Sequence, residues 1–203
     1  MKAEVQTGSE DLPQVEEHEA GWSVKLTADR LDRTVFAREG YALRLQGEFI
    51  REELGSPSSY EKLFAEYVQC ASFGDHTVSV AARAGTDRDT GVPSYNVFRV
   101  GGESSFAGLA EGELRGQKFS VATLAYRYRL MRLSPSLGRG VYILTRGDAG
   151  NVWNDPDSID YRDARYGVAA GLGADTAIGP MYIGYGMADR GASRFYFSLG
   201  TIF

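Results

Sequence analysis

The chain has 203 residues, a net charge of −5 and 43% hydrophobic residues. That is enough for one sizeable domain and too apolar and aromatic for long disorder, while the acidic balance argues against a nucleic-acid partner, which calls for a basic surface. A single Cys70 excludes an internal disulfide and a cysteine-based zinc site, and His18 and His76 are the only histidines.

Met1-Lys2-Ala3-Glu4 is followed by no apolar stretch, so the opening residues do not read as a signal peptide. A short strand near 2–8 and an acidic connection with Glu10, Asp11, Glu16, Glu17 and Glu19 make up a first segment, 1–21. From residue 22 to 203 alternation of apolar and polar residues dominates, and helical periodicity is nearly absent. Near 22–30, Trp22, Val24, Leu26 and Ala28 alternate with Ser23, Lys25, Thr27 and Asp29. The same alternation predicts strands near 40–53, 60–72 and 75–86. After a long connection, 87–116, strands follow near 117–130, 139–150, 164–176, 180–188 and 194–203. No second domain and no repeat is visible.

About ten strands, many of about ten residues or more, exceed the usual globular strand of about 5–6 residues. They match the about 9–11 residues of a tilted membrane strand. No run of about 18 apolar residues is present, which excludes a helical span but not a membrane barrel. The polar faces carry mid-strand charges: Lys25, Asp29, Arg44, Glu48, Lys62, Glu66, Arg83, Arg127, Arg129, Arg146 and Asp148. Such charges are costly between packed sheets and hydrated in a watery lumen. The predicted class is therefore all-β, an antiparallel transmembrane β-barrel with its apolar face outward. Leu43, Leu45, Val168, Leu172, Ile183 and Phe197 are expected to meet lipid. Trp22, Tyr41, Tyr67, Tyr126, Tyr128, Tyr182 and Tyr185 suit interfacial girdles. The chain ends on alternating Phe195, Phe197, Leu199 and Phe203, similar to the terminal strand signal by which barrels are recognised for assembly.

The central motifs sharpen this reading. Gly101-Gly102-Glu103-Ser104-Ser105-Phe106-Ala107-Gly108-Leu109, then Gly112-Glu113-Leu114-Arg115-Gly116, then Leu124-Ala125-Tyr126-Arg127-Tyr128-Arg129-Leu130 resemble the bacterial surface antigen superfamily. That superfamily includes assembly insertases, two-partner transporters and the barrels of patatin-linked autotransported lipases. Leu31 to Gly40 is similar to the family's turn, Gly147 to Val152 to its Asp-x-Gly strand, and Gly179 to Gly186 to its penultimate strand. The resemblance implies a barrel in the bacterial outer membrane, sixteen-stranded in the family; about ten strands here suggest the C-terminal part of such a barrel or a shortened relative.

In the family a tip arginine reaches a glutamate on the next strand and the aspartate at position 148. Here those positions hold Ala107 and Ala125. This departure resembles the patatin-linked branch, so the implied role is a translocator or anchor for a secreted or surface passenger. The implied loop-docking residues are Gly102, Phe106, Ala107, Gly108 and Leu109. The implied lumen motif is Arg127, Arg129, Arg146, Asp148 and Gly150. Glu103, Glu111, Glu113 and Arg115 are expected to add charge pairs with Arg127, Arg129 or Arg146. Implied partners are outer-membrane lipid, the barrel-assembly machinery and a passenger domain, and a homodimer is compatible with the pattern.

No Gly-x-Ser-x-Gly elbow is present, and the glycines from Gly167 to Gly173 lie in a strand with no helix after them. No catalytic residue, metal site or cofactor is therefore expected, and His18 and His76 read as surface or rim residues. Asp155, Asp157, Asp160 and Asp163 read as a solvated acidic loop. The competing readings are a small autonomous outer-membrane enzyme or pore, and a soluble β-barrel carrier.

Overall fold

A computed structural model describes residues 18–134, 136–155 and 159–200, with the main chain alone at Tyr161. The strand expected near 2–8, most of the acidic connection, and Phe203 lie outside the described residues.

Among the described residues nine long strands form one antiparallel sheet: β1 Gly21–Asp29, β2 Gly40–Ile50, β3 Tyr60–Phe73, β4 His76–Thr86, β7 Lys118–Met131, β8 Gly138–Trp153, β9 Arg165–Thr176, β10 Gly179–Ala188 and β11 Ser193–Leu199. Each pairs with its neighbour in that order, and β1 and β11 are the edges of the sheet. Between β4 and β7 the chain makes a separate two-stranded ribbon, β5 Phe98–Val100 with β6 Leu114–Gly116. These strands of three residues are too short for alternation to reveal them.

The alternation sorts the two faces of the sheet. Leu26, Leu45, Ala65 and Ala84 stand side by side on one face, each the cross-strand partner of the next. So do Tyr128, Ile143, Leu172, Ile183 and Phe197. Leu172, Ile183 and Phe197 are 48%, 45% and 63% exposed. Apolar rows this long on an open surface are foreign to a water-soluble monomer and fit a lipid face. The other face carries charge in matched pairs, with Arg44 opposite Glu66 and Glu66 opposite Arg83.

The two rims differ. One has the two-residue turns Gly74-Asp75 and Ala177-Ile178 and the longer turn 30–39; the other has the long connection between β4 and β7. Tyr182 departs from its expected place in a girdle. It points to the inner face and is 5% exposed. Gly171 and Gly184 leave room for its ring there: a Cβ on Gly184 would stand 2.1 Å from the Tyr182 hydroxyl, and one on Gly171 2.7 Å from Cε2.

Candidate functional site

The connection between β4 and β7 is pinned at its base. The Lys118 ammonium, at the start of β7, binds the carboxylates of Asp87 and Asp89. Asp87 also accepts the N–H groups of Asp89 and Gly91, both at 3.1 Å. Burial alone would raise the Asp87 carboxyl; the hydrogen bonds from Lys118, Asp89 and Gly91 outweigh it and hold the group below the usual carboxylate range. Gln117 clamps the same stretch, accepting Val92 N–H at 2.9 Å and donating to Val92 O at 2.7 Å.

From that base the β5–β6 ribbon turns its apolar side inward. Phe98 and Val100 join Phe106, Leu109, Phe119 and Val121 in one buried cluster. The Phe98 and Phe119 rings lie 5.1 Å apart. Beyond the ribbon the chain reverses tightly, with Phe106 N–H donating to Gly102 O at 2.9 Å and Gly102 N–H to Leu109 O at 3.1 Å. Gly102 and Gly108 have φ of +90° and +83°, values that favour glycine. Phe106 and Leu109 are fully buried.

The wall meets this tip with charge and with an absence of side chains. Ala107 N–H donates to Asp148 Oδ2 at 2.9 Å. The other Asp148 oxygen accepts Arg146 Nε at 2.9 Å and the Thr123 hydroxyl at 2.6 Å. Arg146 also reaches the tip carbonyls, Glu103 O at 2.8 Å and Ser105 O at 3.0 Å, and Arg83 donates to Ser104 O at 3.0 Å. From β11 the Tyr196 hydroxyl accepts Gly108 N–H at 2.8 Å. The close approach requires glycines on both sides. A Cβ on Gly108 would stand 2.3 Å from Ala188 N, and one on Gly167 2.3 Å from the Ala107 oxygen.

A second insert enters from the short-turn rim. Phe36, in the turn 30–39, is 3% exposed and has φ of 52°, an unusual conformation for a bulky residue. Its ring stacks on Tyr142 at 4.6 Å and lies under the Arg127 guanidinium at 5.2 Å. Arg127 also donates to Ala37 O. Asp32 accepts the N–H groups of Arg38 and Glu39, and Ser72 donates to Arg38 O at 2.6 Å. The turn is thus held from several sides, which is what keeps a strained residue in place. Between the two inserts lies a cavity of about 100 Å³ lined by Phe36, Glu103, Ala107, Arg127, Arg146 and Tyr182.

The residues singled out from sequence divide into groups. Gly102, Phe106, Ala107, Gly108 and Leu109 come together with Arg146 and Asp148. Gly150 lies farther along β8, where a Cβ would stand 2.2 Å from Ser120 O. Arg127 and Arg129 do not join the tip: the first holds the Phe36 turn and the second pairs with Asp75 at the short-turn rim. The charge pairs expected of Glu103 reduce to its carbonyl on Arg146 and its carboxylate on Ser198 at 3.2 Å. Arg115 turns back to Gly112 O at 3.1 Å. Phe195, Phe197 and Leu199 all face outward. His76 lies at the start of β4, its Nδ1 2.6 Å from the Tyr126 hydroxyl. Arg83, Tyr196, Phe36 and Tyr142 were not singled out as site residues. The signal for Arg83 was its mid-strand charge; Phe36 lies within the Leu31 to Gly40 segment that resembles the family's turn, though no alternation points to its ring.

Comparison with known proteins agrees with this architecture. A family model described as the Omp85 superfamily domain matches residues 12–203. No curated protein matches the chain. Among 58 matching chains of solved structures is the crystal structure of BamA from Haemophilus ducreyi lacking POTRA domains 1-3. The likeness has a TM-score of 0.69 at 17% identity, over 87% of this chain and 40% of that one. It is a likeness of fold, and the chain spans less than half the length of that relative.

Proposed function

The chain belongs to the Omp85 superfamily and is an outer-membrane β-barrel domain; from that premise we propose that it acts as the translocator or anchor for a secreted or surface-exposed passenger, of the kind carried by patatin-like lipases. The observation that carries this reading is the chemistry of the loop tip. Where the resemblance calls for a tip arginine the chain has Ala107, and a guanidinium on Asp148 comes instead from Arg146 in the wall. The tip is therefore held by its main chain, in keeping with the branch whose barrels accompany lipases rather than with an insertase.

In this reading the domain itself is not an enzyme, and its outward Phe195, Phe197 and Leu199 serve recognition by the barrel-assembly machinery. The inserts at both rims disfavour a standing pore. The test is surface display of a reporter passenger fused ahead of the domain in the full-length protein. Protease-accessible reporter on intact cells is expected with the native barrel. Display should be lost in Gly108→Leu while the barrel still migrates as a folded, heat-modifiable band. A reporter that stays inside with the native barrel folded would overturn the assignment.

A further inference from the structure

The outer face of β1 to β4 carries a feature that passenger export does not use. Toward the long-connection rim the sheet surface sinks into an apolar groove of about 540 Å³, within the range of about 300–1,000 Å³ of ligand sites. Its floor is made by the small residues Gly47, Ala65 and Ala84, and its walls by Leu26, Leu45, Phe49 and Leu63. The Phe49 ring folds over Gly47, where a Cβ would stand 2.8 Å from Cε2.

One step along the same face, charge replaces the apolar surface. Glu61 is the cross-strand partner of Phe49, Arg51 lies two residues beyond Phe49, and Arg88 two residues beyond Thr86, which also lines the groove. Alternation puts Glu61 on the groove's face, the extended backbone at Arg51 continues it, and Arg88, in the turn after β4 with φ of 51°, reaches the same face through its contact with Glu61. One Glu61 oxygen takes Arg51 Nη2 at 2.6 Å and the other takes Arg88 Nη1 at 2.7 Å. Two guanidiniums therefore share one carboxylate and retain a unit of positive charge. Arg88 is 57% exposed at its side chain and has donors to spare. Glu52 and Glu53 follow Arg51 and make no ion pair with either arginine among the described residues.

We propose that this face binds a phosphate-bearing lipid of the outer leaflet, with one acyl chain in the groove and the phosphate on Arg51 and Arg88. Long connections mark the extracellular rim of an outer-membrane barrel, which sets the groove against outer-leaflet chains and the arginines at headgroup level. Guanidinium forks match phosphate oxygens in pairs, which a single ammonium cannot do. The carboxylate of Glu61 holds both forks in position before the ligand arrives.

The experiment is native mass spectrometry of the full-length protein in neutral detergent. The probes are dioleoyl phosphatidic acid, dioleoylglycerol and inorganic phosphate. Phosphatidic acid is expected to be retained in preference to dioleoylglycerol, and inorganic phosphate not at all. Arg51→Gln with Arg88→Gln and Glu61→Gln should weaken phosphatidic acid about tenfold, the scale of one lost charge-assisted hydrogen bond, and leave dioleoylglycerol unchanged. Ala65→Phe and Ala84→Leu keep the lipid face apolar, fill the groove and should lower retention of both lipids. Equal retention of the two lipids by the native protein would overturn the proposal. So would retention unchanged by either set of variants in a folded, heat-modifiable barrel, or capture of inorganic phosphate alone.

Discussion

Asp148 accepts the backbone N–H of Ala107 through one oxygen and holds Arg146 through the other. The wall thus grips the loop by its main chain, and the buried carboxylate is answered by a cation from its own strand. Asp148→Ala takes from Arg146 its counter-charge and leaves it the carbonyls of Glu103 and Ser105, and losing one member of a buried pair costs up to about 3–5 kcal/mol. Chemical denaturation in lipid vesicles measures it. Ala107→Arg should stabilise nothing, because Arg146 already occupies the carboxylate; a raised denaturation midpoint in that variant would contradict the geometry.

The glycine contacts make a sharper test. Gly167→Ala places a methyl 2.3 Å from the Ala107 oxygen. The tip must back away, at about 1–3 kcal/mol of crowding. Trypsin digestion of the folded protein should then cut at Arg99 or Arg115 faster than in the native barrel. Unchanged protection would mean that the tip does not rest on β9.

Outward residues answer to the bilayer instead. Leu172→Arg, in the row with Ile143, Ile183 and Phe197, should cost about 2–4 kcal/mol in lipid if it lies at midplane depth. Refolding equilibria into vesicles give the number. No change in stability would reverse the assignment of faces.

The base of the loop responds to acid. The Asp87 carboxyl is held below its usual range by Lys118, Asp89 and Gly91 against the effect of burial. Its contribution to stability is therefore complete above the unfolded carboxylate value of about 3.9, and it is lost as the pH falls through the lower folded value. Hydrogen exchange of the amides from Asp87 to Val92 should rise over that acid window, and Asp87→Asn should show fast exchange at every pH.

The Phe36 turn can be tested alone. Phe36→Ala removes a ring stacked on Tyr142 and lying under Arg127, and a large buried ring lost to alanine costs about 3–5 kcal/mol. Denaturation in lipid reports the loss. Because the tip of the long loop is held by other residues, trypsin sensitivity at Arg115 should stay unchanged.

How much of this was legible follows from period and distance. The long strands and their faces could be read because alternation runs over whole strands, as from Trp22 to Asp29. Asp148 and the tip came from motifs in a recognisable order. The β5–β6 ribbon escaped because three residues carry too little alternation. The turn from Leu31 to Gly40 was legible as a family motif, but the inward ring of Phe36 was not, because a ring placed by one residue at positive φ has no periodic trace. Gly167, Gly171 and Gly184 were visible as composition, but their purpose depends on what tertiary structure brings to each: the loop tip to Gly167, and the Tyr182 ring to Gly171 and Gly184. Arg127 and Arg129 were grouped with Asp148 by sharing a face, yet distance along the strand sends them to the opposite rim.

The hydrogen bond from Gly108 to Tyr196 joins residues far apart in the chain, and Tyr196 stands on the last strand of the sheet. The loop's seat therefore includes an edge strand that is distant in the chain. Until β11 arrives, the loop can pack on β7 and β8 but lacks one side of its seat. Completion of the sheet and locking of the loop are thus coupled: the seat is whole only when β11 has joined β10. Contacts between such distant residues also slow folding, since a long loop must close before any reward is collected.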